Sequence, residues 1–534
     1  MNNSYITIIK EKRTVLSRKR VPLNQNECTA DFRIGVPFEQ NLHYYNLPIK
    51  AGERMDNNYT YEYLKKQTED NLAHFIYQFS EKVINNEASL FIGAGVSRNS
   101  GYPGWADLLS ECADDLNINS NTIDLYSLAQ YYANKHSDAE LRRIISQKIN
   151  TFPKSNNLLN NLLEIDFNNI WTTNYDKLIE KGLEEKEKPY NVIFSDKNLS
   201  SIDKHDKVNV YKMNGDISDP VNMVLTKNDY EHYLKKHPLF LTFLKKELVS
   251  NTFLFIGYSF SDALVLDCLS SINEFLGDSI GCHYAIMCID KNVSPELLYF
   301  IEDLKHRYNI TCLCATKEDI PIIIQKLNQK IKEKKVFISG SFDLVSEDIN
   351  MFADKLSYNL VTKLYNSNYR ISTGVGKRLG TYITGYANQY LAERNIFNTP
   401  KYLSMRPFPF HLELDEAKKE MYRKLMQRDC SSAIFMFGQS KAMNKAGQFD
   451  DITHFSPGTY QEFEIARANG FTIIPVGSTG YEANIIWKEI KKNINEFYYL
   501  SKRMDALRNE KNPEKLAELI VSILDDVTKY RRVK

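Results

Sequence analysis

The apolar positions of this chain fall into short runs that stop abruptly at small or polar residues. Residues 89–92 form a mostly apolar run of the kind a buried parallel strand shows, ending in Gly93-Ala94-Gly95. Ahead of it, Tyr63, Leu64, Leu72, Phe75, Ile76, Phe79 and Val83 recur at helical spacing and predict an amphipathic helix over 60–86. Helical patterns then run to about residue 163, with Trp105 read as a core anchor. A strand over 168–176 passes from apolar residues into Thr172-Thr173-Asn174-Tyr175-Asp176, ahead of a helix over 177–185. A strand over 208–213 ends in Asn214-Gly215-Asp216, and one over 252–256 ends in Gly257-Tyr258-Ser259. Strands over 283–288 and 311–314 complete the set. Four strand ends of small or polar residues predict one shared cleft, because open α/β sheets bind ligands beyond the carboxyl ends of their strands.

The charged stretch 325–335 reads as a helix end and linker, after which the pattern starts again. An apolar run over 335–338 enters Ser339-Gly340-Ser341, and a helix over 348–366 leads to a strand over 369–373. That strand enters the loop from Gly374 through Gly376, Lys377, Arg378 and Leu379 to Gly380. Strands over 433–437 and 472–476 end at Gly438 and Gly477, and 513–534 is an amphipathic helix. The fold class is therefore α/β, with two doubly wound domains in tandem, bounded at 70–330 and 331–534, behind an extension over 1–69. The second domain is expected to hold a second ligand.

The first 55 residues carry a basic cluster between Lys10 and Arg20 and little periodicity. They are expected to be a solvated extension or an arm packed on a neighbouring subunit. A third expectation starts the chain at Met55, since Ala51-Gly52-Glu53-Arg54 suits a purine-rich coding stretch of the ribosome-binding kind. An intact mass showing only the full chain would remove it.

At 534 residues, with 43% hydrophobic and 25% charged positions, the chain has the composition of an ordinary soluble protein of two or three domains. Lys plus Arg is 68 against 67 for Asp plus Glu, so bulk charge makes no case for nucleic acid or a membrane surface. No apolar run has the length of a membrane span and no secretory signal opens the chain, which places it in the cytoplasm. The eight cysteines form no C-x-x-C pair. Cys312 and Cys314 fall on one face of a strand, as reduced core thiols, and no metal site is expected.

The chemistry gathers at the strand ends. Gly93 and Gly95, one residue apart, let the backbone turn tightly and approach a ligand, and Val96-Ser97 opens a helix whose N–H groups would face a pyrophosphate. Arg98 stands where a third glycine completes the dinucleotide fingerprint. Asn174 and Asp176 are placed either for chemistry or as caps of the following helix. In the second domain Arg406, fixed between apolar residues and prolines, Lys424 and Lys441 are cations for phosphates, and Glu462 is an acceptor for ribose hydroxyls or a base. Ordinary surface charge is the alternative for the two lysines.

Through Gly93-Ala94-Gly95-Val96-Ser97, Thr172-Thr173-Asn174-Tyr175-Asp176, Lys212-Met213-Asn214-Gly215-Asp216 and Gly257-Tyr258-Ser259-Phe260, residues of about 70–325 resemble the sirtuin-like NAD-binding domain. Through Ser339-Gly340-Ser341, the loop from Gly374 to Gly380 and Arg406-Pro407-Phe408-Pro409, residues of about 335–530 resemble the Rossmann-like SLOG nucleotide sensors. Together, in this order, they resemble the ThsA-like effectors of the bacterial Thoeris anti-phage system. The resemblance implies cleavage of NAD+ at the nicotinamide–ribose bond, activated by a cyclic ADP-ribose isomer bound at Ser339, Gly340, Ser341, Gly374, Gly376, Arg378, Leu379, Gly380, Arg406, Lys424, Lys441 and Glu462. It implies NAD contacts at Gly93, Ala94, Gly95, Val96, Ser97, Asn174, Gly215, Gly257 and Ser259. It also implies homotetramers or larger assemblies and a TIR-domain protein that makes the signal. Asn174 would position water or ribose with support from Asp176. The position of Asn214 is ordinarily histidine, the general base. Asparagine cannot titrate, so Asn214 is read as an inactivating replacement, the alternatives being a weak enzyme, another base, or a domain that binds NAD without consuming it. Deacetylation is the weaker enzymatic reading, because the paired C-x-x-C zinc module of sirtuin deacetylases is missing from the sequence.

Overall fold

The computed structural model describes residues 57–533 apart from 121, 152, 201, 203–206, 261, 344–345, 410–411 and 444–448. The expectations for residues 1–56, an arm and a start at Met55, lie outside the described residues. The first apolar run is the middle of a seven-stranded, all-parallel sheet. Its strands are β1 (Ala88–Ile92), β2 (Asn169–Thr172), β3 (Tyr190–Ile193), β4 (Val208–Lys212), β5 (Thr252–Ile256), β6 (His283–Cys288) and β7 (Ile310–Ala315), in the order β3-β4-β2-β1-β5-β6-β7. Side chains alternate through β1: Leu90 and Ile92 enter the core on one face while Phe91 enters the other. A strand buried on both faces needs apolar residues throughout, hence a continuous run and not an alternating one.

The helix Asn57–Ile84 covers one face and one edge of this sheet. Phe75 and Phe79 pack on Tyr284 of β6, and Thr68 Oγ1 accepts the N–H of Cys314 on the edge strand β7 at 2.7 Å. Covering an edge strand removes a template for unwanted pairing. Cys312 and Cys314 are buried in the same core layer, and burial pushes the Cys314 thiol up to about 12. Strand β3 escaped the sequence reading because it is short, at the sheet edge and mostly half-buried.

The stretch expected as a linker is the end of a helix, Asp319–Lys332, whose Ile320, Ile323, Ile324, Leu327 and Ile331 are buried. Its lysines are only the solvent face of that helix, and two residues join it to the second sheet. That sheet contains β8 (Lys335–Ser339), β9 (Arg370–Thr373), β10 (Leu403–Met405) and β11 (Ser432–Phe435); β12 (Gln439–Met443) and β13 (Phe449–Phe455) form a separate antiparallel hairpin, and β14 (Thr472–Pro475) completes the parallel order β10-β9-β8-β11-β14. In both sheets the first strand has neighbours added on either side. The crevices where winding reverses are between β1 and β5 and between β8 and β11, the places where an open α/β sheet can admit a ligand.

Candidate functional site

At the first crevice the two glycine turns press against each other. The Gly93 N–H donates to the Ile256 carbonyl at 2.9 Å and the Gly95 N–H to the Gly257 carbonyl at 2.8 Å. A Cβ on Gly93 would lie 2.3 Å from the Gly257 oxygen, and Gly257 has φ +62°, so both positions need glycine for backbone contact. The Gly95 N–H expected to face a pyrophosphate is thus spent inside the protein. Ala94 and Gly95 are exposed, Val96 and Ser97 are buried, and the helix they open is short, Ala94–Arg98.

Ser97 connects this turn to the end of β2. Asn174 Nδ2 donates to Ser97 Oγ at 3.0 Å, and the Ser97 hydroxyl donates to Asp176 Oδ2 at 2.9 Å. Asp176 Oδ1 accepts the Leu178 N–H at 2.9 Å, so Asp176 caps the helix Leu178–Glu185 and orders Ser97 and Asn174 at the same time. Of the two alternatives read from sequence, this hydrogen bond is the capping one for Asp176.

Beneath them lies Lys212, the last residue of β4, fully buried. Its ammonium donates to the carbonyls of Tyr175 and Asp176, to Glu180 at 2.9 Å and to Asp216. Burial alone would lower this lysine, but the two carboxylates hold its pKa above the ordinary value. Burial likewise pushes Asp216 up, and Lys212 and Ser218 overcome it, leaving Asp216 below the usual range. Lys212 therefore ties the loops after β2 and β4 into one unit.

Asn214 follows in the β4 loop, between Gly215 at φ +92° and the edge of an aromatic group. Its side chain faces the Tyr126 hydroxyl and the Asp262 carboxyl. Tyr126 packs on Tyr230 with ring centroids 4.5 Å apart, and Trp105 contacts both Tyr126 and Tyr175. Trp105 is a core anchor as expected, at the margin of the crevice. Asp262 Oδ1 accepts the Leu264 N–H at 2.9 Å and the Tyr230 hydroxyl, while Asp262 Oδ2 and Asn214 Oδ1 are buried with no hydrogen-bond partner among the described residues. Ser259 is exposed beside this loop.

The second crevice opens into a cavity of about 260 Å³, lined in part by Ser339, Gly340, Ser341, Gly374, Gly376, Arg423 and Glu462. Ser339 Oγ donates to Glu462 at 2.5 Å, and burial pushes the Glu462 carboxyl up to about 7. Arg423 lies over the Phe408 ring at 4.7 Å, and its Nε has no hydrogen-bond partner among the described residues. Of the cations read from sequence, Arg406 and Lys424 do not line this cavity, whereas Lys377 of the Gly374 loop does. Arg406 turns away, donating to the carbonyls of Leu425 at 2.6 Å and Arg428 at 3.2 Å and pairing with Asp429 at 3.4 Å. The prolines do aim its guanidinium, but at the end of the helix Glu416–Gln427. Lys424 forms an exposed pair with Glu420 at 2.7 Å, one helical turn apart. Lys441 belongs to β12, and its side chain lies outside the described residues. Arg378 is exposed, 3.3 Å from Asn350 Oδ1, and Leu379 and Gly380 are buried behind the loop.

The two halves meet at the same C-terminal end of the helix Glu416–Gln427. Arg428 pairs with Asp166 at 2.9 Å, and Asp166 also pairs with Lys188 at 2.8 Å. Burial first, then the neighbouring Asp166, raises the Asp429 carboxyl to about 6 against the pull of Lys335 and Arg406. Asp166 stands just before β2, whose far end carries Asn174.

Residues 168–313 match the SIR2-like domain, and residues 319–527 match the Sir2- and TIR-associating SLOG family. Over 474 residues the chain is 32% identical to the NAD(+) hydrolase ThsA of Bacillus cereus (strain MSX-D12), covering 85% of this chain and 97% of that protein. It is 31% identical to the protein of that name from Cytobacillus dafuensis, with 79% and 89% covered, and 29% identical to that from Enterococcus faecium, with 85% and 98% covered. This chain belongs to the ThsA family. Its SIR2-like and SLOG domains come in the order the motifs implied. The SIR2-like match begins at β2, yet the helix Asn57–Ile84 and β1 complete the same sheet. Three side chains at these strand ends and crevices are not singled out by the sequence: Lys212 stands only as part of a motif, and Arg423 and Asp262 fall in ordinary charged and polar runs.

Proposed function

We propose that this chain hydrolyses NAD+ to nicotinamide and ADP-ribose in its SIR2-like domain and is switched on by a cyclic ADP-ribose isomer held in the SLOG cavity. The observation that carries the reading is the Asn174–Ser97–Asp176 chain joining the carboxyl ends of β1 and β2, in a chain related over most of its length to named NAD(+) hydrolases. Breaking the nicotinamide–ribose bond leaves an oxocarbenium-like ribose, so the site must hold the sugar and its attacking water while tolerating positive charge. Asn174, fixed through Ser97, is suited to orient ribose or water. The electron-rich faces of Tyr126, Tyr230 and Trp105 suit a cationic ring and the charge that develops. In the SLOG cavity, Arg423 is the cation for a phosphate and Glu462 the acceptor for ribose hydroxyls. The further parts of the proposal are depletion of NAD in anti-phage defence, a TIR-domain partner that supplies the signal, assembly as tetramers or larger, and a cytoplasmic site of action. Leu239 and Phe243, one turn apart and both exposed, support self-association. Among the described residues no helix is long and apolar enough to cross a membrane.

The test is NAD consumption with and without a cyclic ADP-ribose isomer, for this chain and for Asn214→His. Activator-dependent loss of NAD with release of nicotinamide is expected, and Asn174→Ala should abolish it. A second reading, a domain that binds NAD without turnover, is favoured by one observation: Asn214 cannot take a proton. Calorimetric binding of both nucleotides with NAD left intact in both forms would establish that reading instead.

A further inference from the structure

The hydrolase reading leaves a chemical gap, since the attacking water must lose a proton and Asn214 cannot accept it. Four acidic side chains stand near the carboxyl ends of β2, β4 and β5. Asp176 has one oxygen on Ser97 and the other on the Leu178 N–H. Asp216 is held by Lys212 and by Ser218. Glu180 also has one buried oxygen, Oε2, without a hydrogen-bond partner among the described residues, but its other oxygen is paired with the Lys212 ammonium at 2.9 Å. Asp262 differs from all three. It is buried, no lysine or arginine pairs with it among the described residues, and its two donors occupy Oδ1 only. Its Oδ2 has no partner within ordinary hydrogen-bond distance among the described residues, although the Asn214 amide faces the carboxyl, and Asn214 Oδ1 lacks a partner as well. A buried acceptor without a donor costs about 1–3 kcal/mol, and two in one corner of a crevice mark a place built for a donor that is not part of the protein.

We propose that Asp262 is the proton acceptor for the attacking water in this chain, with Asn214 orienting that water through its amide. This rests on the hydrolase reading. In the step, the bond between C1′ and the nicotinamide nitrogen breaks and its electron pair leaves with neutral nicotinamide. The water oxygen forms the new bond to C1′, its proton passes to Asp262 Oδ2, and that proton is returned to solvent as ADP-ribose leaves. The environment suits the role. Burial raises the Asp262 carboxyl above the ordinary aspartate value, partly offset by Tyr230, the Leu264 N–H and Asn214, so it is a stronger base than a solvated carboxylate. The groups facing it are the phenols of Tyr126, Tyr175, Tyr230, Tyr233 and Tyr258, together with Asp267 and Cys268 of its own helix. Burial raises all five phenols, so they stay protonated across the working range and Asp262 is the group that titrates.

The experiment follows NAD hydrolysis by the full chain, with activator, from pH 5 to 9. Asp262→Asn is compared with Asp262→Ser, which retains an oxygen for the Leu264 N–H but cannot titrate, so the test survives if the asparagine variant folds poorly. Both should lose roughly 10²-fold or more in kcat, the range for removing a positioned base, with KM changed little and the acidic limb of the pH profile gone. Adding Asn214→His to either variant should restore turnover, because an imidazole then takes the proton. Variants retaining kcat within about threefold, or loss that Asn214→His does not restore, overturn the proposal. Turnover by Asn214→His with none by the unaltered chain also overturns it while sparing the hydrolase reading. No turnover by either form sinks that reading itself.

Discussion

Two arginines of the SLOG domain show how position along a chain separates from position in space. Arg406, bracketed by prolines, is the cation a sequence reader picks, yet its guanidinium is consumed by Leu425, Arg428 and Asp429. Arg423 sits in an unremarkable run of charged residues but reaches the cavity wall, and its Nε has no hydrogen-bond partner among the described residues. Arg423→Ala is therefore expected to weaken binding of a cyclic ADP-ribose isomer by at least tenfold in calorimetry, the usual scale for a charge-assisted hydrogen bond. Arg406→Ala should leave that affinity within about threefold and lower thermal stability instead. The reverse pattern would put the phosphate on Arg406.

At the scale of elements, the loops after β2 and β4 are joined by a buried ammonium between two buried carboxylates. Lys212→Met keeps the bulk and removes the charge, stranding Glu180 and Asp216. Removing one partner of a buried ion pair costs about 3–5 kcal/mol. The dependence on pH fixes the cause. Asp216 is held below its ordinary pKa by Lys212, so its contribution is present above the unfolded value and lost as pH falls through the folded one. Without Lys212 the stranded carboxyls would take up protons, and the variant's deficit in urea denaturation should be smaller at pH 5 than at pH 7.5. An equal deficit at both would mean that packing, and not charge, is what Lys212 supplies.

At the scale of the whole molecule, one short helix has the cavity at its flank and the domain contact at its end. Arg423 lines the cavity, and Arg428, immediately beyond the helix, pairs with Asp166, which precedes β2 and the Asn174 loop. A ligand that shifts this helix in the SLOG domain therefore acts on the strand that carries Asn174, provided the Asp166 contact holds. Asp166→Asn is expected to leave cyclic nucleotide affinity within about twofold while reducing activation of NAD turnover by roughly 5- to 20-fold, within the usual range of allosteric coupling energies. Full activation of the variant would route the coupling elsewhere, such as between subunits.

The apolar runs and the glycines that end them determined the two parallel sheets, their order and the position of both crevices, because a doubly buried strand and a backbone turned against its neighbour can be built from few residue types. The positions of Asn174, Asp176 and the Ser339 and Gly374 turns were legible for the same reason: they sit where strands end, whereas Glu462 lies within the helix Pro457–Ala468. Tertiary structure alone decided which charges face a ligand and which are spent on carbonyls and caps. Lys212 and Asp262 each hold one partner 32 residues away, Glu180 and Tyr230, besides the local Asp216 and Leu264, and Arg423 lies over Phe408. No local pattern records such a partner, since the chemistry of a charged side chain is set by what folding packs against it.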